Sequence, residues 1–186
     1  MNLLRVFIAV DIVDENIKKN IELIQKELLK GGVDIKPVEL ENLHITLRFI
    51  GEVPQPVVNE IMNKLKTVTY QKFKIKVRGL GAFPNNSNPR VIWAGITEGS
   101  KELSELHEII EKLVGKYGIK DDKEFTPHLT IARVRSQRNK QHIITILEKY
   151  RDLEFGEQSV ECIKLKKSVL TPRGPIYSDL LEVKLL

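Results

Sequence analysis

The sequence predicts an α+β protein of two related lobes, a pseudo-twofold duplication with largely antiparallel sheets flanked by helices. Three observations lead there. Strand-like runs outnumber helical ones, and both kinds occur in each half of the chain. The order strand, helix, strand, helix, strand recurs after about 85 residues, far longer than a solenoid period. The same short pattern, histidine–x–threonine, sits at the equivalent place in each copy, in His44-Ile45-Thr46-Leu47 and His128-Leu129-Thr130-Ile131.

Taken in order, Phe7–Val10 reads as a buried strand. Residues 14–30 read as a helix, because Ile17, Ile21, Ile24 and Leu28 share one face, Asp14 suits the N-cap and Gly31-Gly32 the stop. A strand near Ile35–Val38 precedes the run Leu43–Ile50, which Gly51 and Pro54 are expected to end, and Val57–Lys66 comes next as a helix. Phe73–Val77 alternates apolar with basic residues, the pattern of a half-exposed strand. Gly79–Pro89 is dense in turn formers and reads as a loop. The second copy supplies a strand at Val91–Ala94, with Arg90 a loop charge and Trp93 a core residue. A helix through Leu103, Leu106, Ile110 and Leu113, the motif run Phe125–Val134, a helix over 138–150 and a strand at Leu153–Val160 complete that copy. Two further strand-like runs, Ile163–Leu170 and Tyr177–Leu185, flank the turn Thr171–Pro175. The spacing agrees with duplication: His44 lies 37 residues after Phe7, and His128 lies 35 after Trp93. The whole chain is expected to form one domain, with repeats near 7–78 and 91–160 and C-terminal strands over 161–186.

Hydrophobic residues at 41% suffice for a real core, and no apolar run reaches the length of a membrane span. The opening Met1–Phe7 is too short an apolar stretch for a signal peptide. One cysteine, Cys162, permits no internal disulfide and points to the cytosol. The expectation is a cytoplasmic monomer. A net charge of +5 suits a phosphate-bearing partner, since Lys and Arg attract polyanions.

Alternate side chains on a strand share a face, so His44 and Thr46 point one way while Ile45 and Leu47 point into a core. His128 and Thr130 repeat the arrangement against Leu129 and Ile131. Two imidazoles and two hydroxyls brought together suit in-line attack on a phosphodiester. One histidine deprotonates water, the other protonates the departing ribose oxygen, and the threonines hold non-bridging oxygens. No metal or other cofactor is required, and two histidines without a carboxylate or thiol on the same strand face form an incomplete ligand set. The other histidines, His107 and His142, lie on helices among charged neighbours and read as surface residues.

Several stretches together resemble the two-histidine phosphoesterases, in particular the LigT-like RNA 2′,3′-cyclic phosphodiesterase and 2′-5′ RNA ligase branch. They are Arg5–Asp11, Asn42–Glu52, Gly79–Phe83, Pro89–Gly95, Phe125–Arg133 and Ser168–Tyr177, which span essentially the whole chain. The resemblance implies a bilobal fold with both motifs lining a central cleft. It also implies metal-independent opening of terminal 2′,3′-cyclic phosphates to 2′-phosphates. The implied substrates are RNA ends or small 2′,3′-cyclic nucleotides, with tRNA halves included. Reversible 2′-5′ ligation is an alternative main role, and a non-catalytic RNA-binding module is a third reading. His44 and His128 carry over as catalytic residues, Thr46 and Thr130 as phosphate contacts, Arg133 as the phosphate-binding arginine and Phe49 as the aromatic beside the terminal base. His44 is assigned to the leaving 3′-oxygen and His128 to water.

Arg133 and Phe49 each lie five residues after a histidine, and strict alternation would turn both away from the cleft. They reach it only if their strands bulge, twist or end first, and Gly51 and Ser136 suggest nearby ends. Arg48, at the even offset, is the competing basic residue on the first strand.

Overall fold

In the computed structural model, which describes residues 2–186, nine strands form two antiparallel sheets covered by four α-helices. In chain order these are β1 (Leu3–Asp11), α1 (Glu15–Lys30), β2 (Ile35–Pro37), β3 (His44–Pro54), α2 (Gln55–Leu65), β4 (Phe73–Asn85) and β5 (Asn88–Ile96). Then come α3 (Ser100–Val114), β6 (His128–Val134), α4 (Lys140–Lys149), β7 (Glu154–Val160), β8 (Cys162–Thr171) and β9 (Gly174–Lys184). The first sheet runs β3-β1-β8-β9 and the second β2-β6-β5-β4-β7.

Local signals account for the elements. The Asp14 carboxylate accepts from the Ile17 amide at 2.9 Å and starts α1, and its apolar stripe Ile17, Ile21, Ile24 and Leu28 is buried. In α3 the stripe Leu103, Leu106, Ile110 and Val114 does the same. Each histidine strand pairs with the strand that opens its own copy, β3 with β1 and β6 with β5. Other strands come from elsewhere: β8 and β9 extend the first sheet beside β1, and β4 and β2 of the first copy join the second sheet. Helices cross over too, so that α1 and α4 pack on the second sheet while α2 and α3 pack on the first. Helices cover the outer faces, and the inner faces bound a cleft.

Two expectations about strand ends are corrected. Gly79–Pro89 is a tight hairpin, not a loop: β4 and β5 continue to Asn85 and Asn88, leaving Asn86 and Ser87 between them. The asparagines fold the chain back, Asn85 Oδ1 accepting from the Ser87 and Asn88 amides and Asn86 Oδ1 from that of Ala82. Arg90 is accordingly a strand residue, exposed on β5. In the same way β3 does not end at Gly51. That residue adopts φ +92° within the strand, which pairs with β1 as far as Pro54.

Candidate active site

His44 and His128 are the first residues of β3 and β6. Both are half-buried, and along each strand the next four residues show the same exposure sequence: buried, half-buried, buried, buried. The paired buried positions, Leu47-Arg48 and Ile131-Ala132, mark a break in alternation, and the pairing gives its cause. Ala9 faces Thr46 and Ile8 faces Arg48, so Leu47 is an extra residue. Trp93 faces Thr130 and Ile92 faces Ala132, so Ile131 is another. A β-bulge therefore occupies the equivalent place in both strands and reverses the parity of the residues beyond it. The odd offset becomes a cleft-facing one.

Phe49 and Arg133 accordingly line the same cleft as the histidines and threonines, a space of about 490 Å³. Bulges, and not strand ends, bring them there. Arg48 is turned the other way. Its guanidinium is wholly buried against α3, where Nη1 lies 3.1 Å from a Glu111 carboxylate oxygen and Nη2 donates to the carbonyls of Gly115 and Ile119. It holds the end of a helix, and the competing reading of Arg48 as a cleft cation is excluded.

The two imidazoles are anchored identically. Nδ1 of His44 lies 2.7 Å from the Asn42 carbonyl, and Nδ1 of His128 lies 2.7 Å from that of Thr126. A carbonyl oxygen can only accept, so the proton of the neutral ring belongs on Nδ1 and Nε2 is left for chemistry. In His44 the Thr46 hydroxyl donates to that Nε2 at 3.0 Å. Aromatic rings wall both sites. Phe7 and Tyr177 lie 5.0 and 5.5 Å from the His44 ring, and Phe83 stands edge-on 4.9 Å from that of His128.

Burial in this aromatic setting pushes both histidines below the ordinary imidazole value. The carbonyl anchors oppose that shift, and the Arg133 charge reinforces it at both rings. Of the two histidines, Asp11 and Lys166 act on His44 alone, Asp11 favouring its protonated form and Lys166 opposing it more weakly. The same arginine also lowers Tyr177, whose phenol burial pushes up. One guanidinium thus acts on groups from both sheets, and it lines the cleft that both imidazoles line.

Among the cations nearby, Lys164 and Lys166 are engaged in a closed arrangement with Asp11 and Asp179, with all four contacts at 2.8–3.0 Å. Arg5, Lys36 and Arg133 line the cleft without a carboxylate partner among the described residues. Arg5 lies over the Phe49 ring at 4.6 Å. Sequence reasoning does not single out Arg5, Phe7, Lys36, Ser168 or Tyr177 as site residues. The signal for Arg5 and Phe7 is their alternation with core residues Val6 and Ile8; for Ser168 and Tyr177 it is their cross-strand pairing in β8 and β9, which sequence does not reveal. Among the described residues no cluster of three or more metal-ligating side chains occurs, and no helix is long and apolar enough to cross a membrane.

His107 and His142 are not surface residues. Both are half-buried, with His107 Nδ1 donating to the Leu47 carbonyl at 2.7 Å and His142 Nε2 donating to that of Glu27 at 3.0 Å. Nor is Trp93 part of the buried core: it is half-buried, packed against Gly81 and Phe83.

A family model for LigT-like phosphoesterases matches residues 10–93 and 95–177. A protein of Aeropyrum pernix named RNA 2′,3′-cyclic phosphodiesterase is 46% identical over 162 residues, which is 87% of this chain and 92% of that one. Its namesake in Archaeoglobus fulgidus is 45% identical over 177 residues, 95% of this chain and 98% of that one. Among solved structures, TT0787 of Thermus thermophilus superposes with a TM-score of 0.75 at 29% identity, over 97% of both chains. The fold is also that of Escherichia coli LigT in its apo form, with a TM-score of 0.78 at 22% identity over 100% of this chain and 99% of that one.

Proposed function

The chain belongs to the LigT-like phosphoesterases, and on that premise we propose that it hydrolyses the terminal 2′,3′-cyclic phosphate of RNA to a 2′-phosphate. The observation that carries the reading is the pair of Nδ1-anchored imidazoles lining one cleft, with the Arg133 charge acting on both. The substrate phosphate lies against Arg133. Neutral Nε2 of His128 takes a proton from water, which attacks phosphorus opposite the 3′-oxygen. Protonated Nε2 of His44 delivers a proton to that oxygen as the bond to phosphorus breaks. Asp11 favours the protonated form of His44 and has no counterpart at His128; its ion-pair partner Lys166 opposes it there by a smaller amount, so the division leans on Asp11. The hydroxyls of Thr46 and Thr130 and the Arg133 guanidinium stabilise the charge that develops on the non-bridging oxygens. Phe49 packs against the terminal base. No step calls for a metal.

The chain works as one domain of two lobes, each contributing one histidine. The acting form is a monomer, a reading supported by the residues of both sheets of one chain that line the cleft. Substrates are RNA ends or small cyclic nucleotides, tRNA halves among them. The deciding experiment is product analysis on a nucleoside 2′,3′-cyclic phosphate in the presence of EDTA, monitored by phosphorus NMR. The 2′-phosphate is expected. An unchanged cyclic phosphate, or a 3′-phosphate product, overturns the proposal.

A further inference from the structure

The two bulges set the parity of the site, and each carries a feature that regular strands lack. A bulge leaves its extra residue outside the ladder, and a buried main-chain carbonyl left without a donor is costly. Leu47 and Ile131 are those residues, both buried. Each of their carbonyls receives a side chain from a helix that belongs to the other copy of the repeat, and that of Ile131 also accepts the main-chain amide of Val38, just beyond β2, at 2.9 Å. His107 of α3 donates Nδ1–H to Leu47 at 2.7 Å. Gln25 of α1 donates from Nε2 to Ile131 at 2.9 Å and to Val38 at 2.8 Å, so both amide hydrogens are used on main chain.

Neither residue is an ordinary member of its helix. Gln25 is only 6% exposed and sits beside Ile24 and Leu28 in the buried stripe of α1, where an apolar residue would cost nothing in solvation. His107 stacks on Phe125 at 4.2 Å with an interplanar angle of 4°, and Phe125 lies three residues before His128. One turn further along α3, Glu111 holds Arg48, the residue that the same bulge turns inward.

We infer that Gln25 and His107 are positioning residues that hold the bulges at Ile131 and Leu47 and thereby keep Arg133 and Phe49 facing the cleft. Without His107 the Leu47 carbonyl loses its side-chain donor, and without Gln25 the Ile131 carbonyl keeps the Val38 amide alone while the bulge loses its tie to α1. Each strand is then free to relax toward regular alternation, which rotates the fifth residue to the opposite face. The inference rests on the proposed function for the role of Arg133 and Phe49, but its geometry can be tested without activity.

Histidine titration monitored by NMR reads the position of Arg133 directly, since the guanidinium lowers both imidazoles. Arg133→Ala is expected to shift both titrations upward. Gln25→Met, which keeps the length and removes the donor, is expected to reproduce that shift, and the double variant to add nothing to it. An unmoved titration in Gln25→Met, independent shifts in the double variant, or no shift in Arg133→Ala each overturns the inference. These outcomes stand even if cyclic phosphates prove not to be substrates, so the two readings fail separately.

The second arm uses catalysis. His107→Phe keeps the stack on Phe125 and loses the donor, and is expected to raise KM about tenfold with kcat held, as loss of one base stack would. His107→Asn, which places a donor near Nδ1, is expected to restore KM. No rescue by asparagine, or a KM effect that adds to that of Phe49→Ala, contradicts the assignment.

Discussion

β3 and β6 begin with the same histidine, carry threonine two residues on, and bulge one residue after that. Their surroundings then diverge. β3 is an edge strand whose histidine packs against the mutually touching rings of Phe7 and Tyr177 and feels Asp11 and, more weakly, Lys166. β6 lies inside its sheet, between β2 and β5, and its histidine has one ring neighbour in Phe83. After the bulge, β3 presents an aromatic ring to the cleft and β6 a guanidinium. The inward-turned residue is a buried arginine in one and a buried alanine in the other. A duplicated scaffold therefore supplies two equivalently anchored imidazoles, the proposed proton-transfer groups, and the neighbours make them unequal. In the proposed mechanism one side takes the base and the leaving oxygen, the other the phosphate.

The sharpest way to break this comparison is to remove one histidine at a time. His44→Ala and His128→Ala are each expected to lower kcat by about 10²–10⁴, the span of a general acid or base. Steady-state rates on a cyclic nucleotide check this, and full activity in both variants would falsify the catalytic pairing. Next in size is the difference between the residues after the bulges. Arg133→Ala is expected to cost about 10²–10³ in kcat, as loss of a charge-stabilising donor does. Phe49→Ala is expected to act on KM instead, about tenfold. Equal kcat losses in the two variants would erase the proposed asymmetry.

Smaller effects come from the titrations. Both imidazoles lie below the ordinary value in the free protein, so the kcat/KM optimum is expected on the acid side of about 6.5. Bound phosphate favours the imidazolium form, so the optimum in kcat is expected at higher pH. Asp11→Asn removes the group favouring protonated His44, and the alkaline limb of kcat/KM is expected to move to lower pH while the acid limb stays in place. A shift of the acid limb instead would reverse the acid and base roles. Stability has a sign of its own. Lowered imidazoles mean that the unfolded chain binds more protons on acidification. This contribution is complete above the ordinary histidine value and is lost as pH falls through the lowered ones. Urea unfolding across that window is expected to show the loss for the parent chain, and a smaller loss in His44→Gln, whose side chain does not titrate.

Much of the fold is legible locally. Asp14, the stripe of α1 and the turn at residues 171–175 declare themselves through capping, period and turn chemistry. The hairpin at Asn86-Ser87 is harder, because a stretch rich in Gly, Pro and Asn reads as a loop until a partner strand fills its hydrogen bonds. His107 and His142 mislead for a related reason. Charged neighbours on a helix describe its exposed side, while the main-chain carbonyls these rings meet belong to Leu47 and Glu27, distant in the chain.

By itself, the sequence determined the repeat and the strands on which the two histidines and two threonines share a face, because residues two apart on a strand need no knowledge of the rest of the chain. Only the tertiary structure decided where the side chains beyond Thr46 and Thr130 point. A bulge exists only relative to a paired strand, here β1 and β5, and the carbonyl of its extra residue takes a donor from a distant helix. That non-local pairing turned Phe49 and Arg133 into the cleft and Arg48 out of it.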